Sequence, residues 1–141
     1  NLMKNKIRLK VIGNKKKFSV KMQNLLLQSE KKTSSNEKLQ INRALNYGSK
    51  EELLNAIKIV KKENQKITEK NIEKNLYTNS IPDPDLLIRT GDTKRLSNFL
   101  LWQIAYSEIY FVKKLWPEFN IIDYNKILNN YKNLKRNFGA I

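Results

Sequence analysis

The chain has 141 residues, 40% hydrophobic and 29% charged, enough apolar material to bury a core in one domain or a large piece of one. It contains no Cys and no His, which excludes disulfides, thiolate and imidazole metal sites, a Cys nucleophile and any His-dependent triad. Any chemistry must come from carboxylates, hydroxyls, Lys, Arg, Tyr or a bound metal. The net charge of +15 invites a nucleic-acid reading, but 23 of the 28 cationic residues are Lys and 19 further residues are Asn, spread along the whole chain. A general Lys/Asn bias, such as an AT-rich genome produces, accounts for that charge without a nucleic-acid partner; attraction to anionic lipid or phosphate is the second account. Against that background the five Arg residues are informative, because Arg persists where a forked guanidinium is needed. No apolar run approaches the ~20 residues that span a bilayer, and a chain opening on Asn reads as a fragment.

The first element is a strand over 8–13, a short β-branched run ended by Gly13. Lys15, Lys16 and Lys17 read as the solvated entry to a helix over 18–32 carrying Val20, Leu25, Leu26 and Leu27. A loop at 33–36 leads to a strand over 39–48 that turns at Gly48. Ser49 is expected to cap the next helix, with Glu51 and Glu52 in its first turn and Leu53, Leu54, Ile57 and Val60 on one face. Thr68 opens a short helix to about Leu76. Beyond a loop at 79–84, residues 85–91 read as a buried strand. Ser97 or Asn98 then caps a core helix over 99–105, apolar nearly all round. A strand over 108–112, closed by Trp116-Pro117, and a final helix over 123–137 complete the chain. Strands alternating with helices predict an α/β fold with a mostly parallel central sheet and helices on both faces, in which ligands bind beyond the carboxyl ends of the strands.

That rule directs attention to the residues after Ile88. Arg89, Thr90, Gly91, Asp92, Thr93, Lys94, Arg95, Leu96 and Ser97 combine two Arg, one Lys and three hydroxyls around a Gly that permits a tight turn. Such a donor set suits a phosphate or diphosphate; the plain alternative is a polar loop in which Arg89 pairs with Asp85 or Asp92. Glu108, at the start of a strand, is an exposed or paired residue unless a diphosphate lies near, in which case it can hold Mg2+. Phe99, Trp102, Tyr106, Tyr110, Phe111 and Trp116 read as core packing or as the wall of an apolar ligand site.

Several runs resemble the C-terminal half of the cis-prenyltransferases, with the bacterial undecaprenyl diphosphate synthases as the nearest branch. They are Asp85-Leu86-Leu87-Ile88-Arg89-Thr90-Gly91, Arg95-Leu96-Ser97-Asn98-Phe99-Leu100-Leu101-Trp102-Gln103, Tyr106-Ser107-Glu108-Ile109-Tyr110-Phe111 and Leu115-Trp116-Pro117-Glu118-Phe119. Ala44-Leu45-Asn46-Tyr47-Gly48 resembles the family's Asn-Tyr-Gly segment, and Glu30, Thr33 and Asn36 the stretch before it. The resemblance covers nearly the whole chain. It implies an enzyme that adds isopentenyl diphosphate to an allylic diphosphate of the farnesyl type, making Z double bonds with the help of Mg2+. On that resemblance Arg89, Arg95 and Ser97 bind the diphosphate of isopentenyl diphosphate and Glu108 contributes to Mg2+. The chain is then the C-terminal part, residues 1–141, of a single catalytic domain, since the family's Asp-Gly-Asn motif is not among these residues.

The resemblance further implies a homodimer whose C-terminal tail, with Arg136 and Gly139, reaches the partner's site. It also implies a cytoplasmic or organellar soluble protein, with peripheral membrane contact for product release. Asp92 and Thr93 stand where the family has Gly and Glu, Ser49-Lys50 where it has Gly-Arg, and Asn137 where it has the second Arg of the tail. Two other readings compete: a non-catalytic partner subunit of a heteromeric prenyltransferase, and a basic nucleic-acid-binding module. The first is disfavoured because Arg89, Arg95 and Ser97 are retained; the second rests on charge alone.

Overall fold

The computed structural model describes residues 1–135, and these fall into two compact units, Asn1–Ile81 and the part from Pro82 onward. The tail residues Arg136 and Gly139 lie outside the described residues.

In the first unit, β1 (Ile7–Ile12) pairs in parallel with β2 (Leu39–Ala44), from Ile7 opposite Leu39 to Ile12 opposite Ala44. A parallel pair needs a crossover, and α1 (Val20–Thr33) supplies it, starting from Ser19, whose hydroxyl accepts the Met22 N–H. The helix also closes the outer edge of β1. Leu9 N–H donates to Thr33 Oγ1 at 3.0 Å and Val11 N–H to Glu30 Oε1 at 2.8 Å, while Asn36 Nδ2 donates to the Ile7 carbonyl at 2.8 Å. Side chains thereby occupy backbone groups that an open edge would offer to another strand. Gly13 follows β1 at φ +111°, where a Cβ would stand 2.2 Å from the Leu45 carbonyl oxygen. No other residue type fits that crossing.

Next comes α2 (Ser49–Lys62), with Glu51 and Glu52 in its first turn as expected. Its cap is Gly48, not Ser49. Gly48 is extended and its carbonyl accepts the first helical bond, from Glu52 N–H, which places Ser49 inside the first turn and fully buried. Glu52 is also buried. Its carboxylate accepts from the Tyr47 hydroxyl at 2.5 Å and the Tyr77 N–H at 2.7 Å, and the two tyrosine rings meet edge to face. Thr68 caps α3 (Glu69–Glu73), which packs on α2, and Ala56, Val60, Ile72 and Leu76 are buried there.

In the second unit, β3 (Leu86–Arg89) pairs in parallel with β4 (Glu108–Phe111). The core helix expected at 99–105 is absent; residues 97–106 form successive turns instead. Ser97, Asn98 and Leu100 all have positive φ, which breaks the helical ladder at its start, although Ile104 N–H still reaches the Leu100 carbonyl and Ile104 is buried. Both strand pairs are parallel, and helices stand between β1 and β2, between β2 and β3 and after β4, so the α/β class holds. After a 3-10 turn at Trp116–Glu118 comes α4 (Ile121–Lys132), which begins two residues earlier than expected. Asn120 Oδ1 accepts the Ile122 and Asp123 N–H groups, and Asp123 Oδ2 accepts the Asn120 N–H, a reciprocal cap. Among the described residues no helix is long and apolar enough to cross a membrane.

Candidate functional site

Loop 89–97 leaves the carboxyl end of β3 and is built around Arg89. The Arg89 carbonyl accepts Val112 N–H at 2.7 Å, extending the ladder past β4. Gly91 (φ +94°) and Asp92 (φ +51°) then turn the chain through the left-handed region, and their N–H groups donate to the carbonyls of Lys114 at 2.8 Å and Val112 at 3.1 Å. Thr93 Oγ1 donates back to the Gly91 carbonyl at 3.1 Å. The loop is thus pinned along the segment that follows β4.

The Arg89 side chain folds into this loop. Its Nη1 donates to the Arg95 carbonyl at 2.5 Å and to Ser97 Oγ at 3.1 Å. The structure therefore brings together the three residues singled out in sequence, Arg89 and Ser97 by side chain and Arg95 by backbone. Only one end of the Arg89 fork is used in these two bonds, and a guanidinium carries five N–H donors. Ser97 Oγ accepts from Arg89, which directs its own proton elsewhere. The Arg95 side chain is exposed. Two guanidinium groups and a polarised hydroxyl in one pinned loop can bind an anion with several oxygens. Arg89 thus turns along its own loop.

Glu108 is not brought to that loop. It starts β4 opposite Leu86, whereas Arg89 ends β3 opposite Phe111, so the two leave from opposite ends of the ladder. Among the described residues no group of three or more Asp, Glu, Cys or His side chains could hold a metal ion. A lone carboxylate suits Mg2+ as one oxygen donor. The residues described do not make up a metal centre.

None of the six aromatic residues of this segment is fully buried: Trp102 and Tyr110 are half-buried and Phe99, Tyr106, Phe111 and Trp116 are exposed. Gln103 and Ile104 are buried, but Tyr106 is 70% exposed, Trp116 74% and Leu115 59%, with Trp116 stacked on Phe119. One residue that sequence reasoning passed over is Lys114. Its carbonyl holds Gly91, and its Nζ contacts both carboxylate oxygens of Asp123 at 2.8 Å. In a chain that uses Lys by default, nothing marks it out in the sequence.

Known proteins resemble this chain over nearly its whole length. Residues 1–139 match the prenyltransferase family model described as undecaprenyl diphosphate synthase. An isoprenyl transferase of Fusobacterium nucleatum is 45% identical over 142 residues, covering 100% of this chain and 61% of that protein. The crystal structure of a probable undecaprenyl diphosphate synthase from Campylobacter jejuni superposes with a TM-score of 0.90 at 35% identity, over 99% of this chain and 66% of the other. A lavandulyl diphosphate synthase from Lavandula x intermedia, solved with dimethylallyl diphosphate, gives a TM-score of 0.87 at 33% identity, over 95% of this chain and 61% of the other. The chain spans about three fifths of the length of the relatives it matches. With the family model spanning all but its last two residues, the chain belongs to the undecaprenyl diphosphate synthase family of prenyltransferases.

Proposed function

We propose that the whole protein is a cis-prenyltransferase, adding isopentenyl diphosphate to an allylic diphosphate of the farnesyl type to build a Z-polyprenyl diphosphate. In that reaction the carbon–oxygen bond of the allylic diphosphate breaks and the diphosphate leaves with the bonding pair. The alkene of isopentenyl diphosphate forms the new carbon–carbon bond at the allylic carbon, and a proton is lost from the adduct. The part taken by this chain is to bind and orient isopentenyl diphosphate. Arg89 and Arg95 neutralise its phosphate oxygens, Ser97 donates its hydroxyl proton to one of them, and the pinned loop keeps the alkene end directed at its partner.

The observation that carries this reading is the pair of bonds from Arg89 Nη1 to the Arg95 carbonyl and Ser97 Oγ, which draws the three residues proposed to bind the diphosphate into one loop. Mg2+ is part of the expected chemistry, with Glu108 as one proposed ligand, but no step is derived through it because the described residues do not complete its site. The exposed Tyr106, Ile109, Phe111, Leu115 and Trp116 suit burial against a second copy, which supports a homodimer. Peripheral membrane contact accords with release of a long polyprenyl product.

The test is chain elongation by the whole protein with labelled isopentenyl diphosphate and farnesyl diphosphate. Elongation is expected, and Arg89→Ala should lower kcat/KM for isopentenyl diphosphate roughly ten- to hundredfold, the loss of about 1.5–3 kcal/mol of charge-assisted bonding. Absence of elongation, or an unchanged kcat/KM in the variant, would contradict the reading.

A further inference from the structure

Lys114 joins two structures that lie apart in sequence. Its carbonyl accepts the Gly91 N–H at 2.8 Å, and the Val112 carbonyl accepts the Asp92 N–H at 3.1 Å, so the segment after β4 holds both left-handed residues of the loop. Its Nζ donates to Asp123 Oδ1 and Oδ2, each at 2.8 Å. Asp123 is itself fixed by the reciprocal cap with Asn120 at the start of α4. A continuous set of bonds therefore runs from the first turn of α4, through Lys114, to Gly91. We propose that Lys114 is a positioning residue for isopentenyl diphosphate binding, tying loop 89–97 to α4 through its side chain and holding Gly91 through its carbonyl. This rests on the reading of that loop as the diphosphate site.

The physical need is plain. A non-Gly residue at φ +51°, as Asp92 is, persists only where its surroundings over-determine it. The carbonyl bonds from 112 and 114 do that only if the segment carrying them is itself held: the Arg89 carbonyl holds its Val112 end, and the Asp123 fork holds its Lys114 end. The Lys114 and Asp123 side chains are 46% and 23% exposed, so the pair adds little to overall stability. Its consequence is local, and that separates positioning from folding.

The experiment measures KM for each substrate, kcat and melting temperature in the whole protein for Lys114→Met, Lys114→Arg, Asp123→Asn, the Lys114→Met/Asp123→Asn double variant and Arg89→Ala. Lys114→Met keeps the backbone carbonyl and removes the fork. It should raise KM for isopentenyl diphosphate about threefold to fivefold, the scale of one partly exposed pair. Its kcat, its KM for farnesyl diphosphate and its melting temperature should stay near wild type. Lys114→Arg should restore KM, and the double variant should be no worse than either single. A wild-type KM in Lys114→Met beside a raised KM in Arg89→Ala would overturn the inference and leave the diphosphate reading standing. An unchanged KM in Arg89→Ala would overturn both. A KM rise accompanied by a large fall in melting temperature and no rescue by Arg would assign Lys114 a structural role instead.

Discussion

Arg89 and Glu108 stand at opposite ends of one parallel ladder, Glu108 opposite Leu86 and Arg89 opposite Phe111. The offset is three residues, or about 10 Å along the strand at ~3.3 Å per residue. Because side chains alternate and three is odd, the two also leave opposite faces of the pair. The sequence assigns them to one site; the ladder sets them three residues apart.

That separation has a kinetic consequence. Arg89→Ala and Glu108→Gln should act independently on kcat/KM for isopentenyl diphosphate, and the double variant should match their sum to within about 0.5 kcal/mol. A coupling energy above about 1 kcal/mol would mean that the two groups act on one bound molecule, contrary to the ladder register.

Glu52 should matter for stability. Its buried carboxylate holds the Tyr47 hydroxyl and the Tyr77 N–H. Glu52→Ala leaves two donors and a cavity, and should cost about 2–4 kcal/mol in urea unfolding. Tyr47→Phe removes one donor and should cost about 1–3 kcal/mol. Losses under 0.5 kcal/mol in both would show that this cluster does not brace α2.

The Asp123 carboxyl is held below its ordinary value, first by the hydrogen bond from Lys114 and then by that from the Asn120 N–H. A carboxyl depressed on folding stabilises the protein above its unfolded pKa, near ~3.9, and loses that contribution as pH falls through the lower folded value. The contribution is therefore constant from neutral pH to about 4 and fades below it. Carboxyl NMR titration should place the Asp123 midpoint below the ordinary Asp value, and Lys114→Met should raise it. An identical midpoint in the variant would remove Lys114 as the main cause.

Much of this was legible in the residues. The β-branched run at Ile7–Ile12, the apolar run that opens Leu86–Arg89 and the acidic first turn of α2 each carried a local signal that the fold obeys. The run from Phe99 misled because its apolar residues satisfy helical spacing on every side, while the left-handed conformations of Ser97, Asn98 and Leu100 have no sequence mark comparable to Gly. Ser49 misled for a related reason, since it has the chemistry of a cap but Gly48 has the conformation of one. At the site, the Arg residues stood out against the Lys background and the loop brings them together. The offset of Glu108 from Arg89 along the ladder and the bond between segments nine residues apart, Lys114 to Asp123, could not be read from the residues, because register and such a bond exist only after folding.

The central claim is the proposal that loop 89–97 holds the diphosphate of isopentenyl diphosphate through the guanidinium groups of Arg89 and Arg95. Its most direct test is calorimetric titration of isopentenyl diphosphate into the whole protein and into its Arg95→Ala variant, with no second substrate present. The account predicts a Kd at least about tenfold weaker in the variant, from the loss of a charge-assisted contact. Equal Kd values in the two proteins would contradict it.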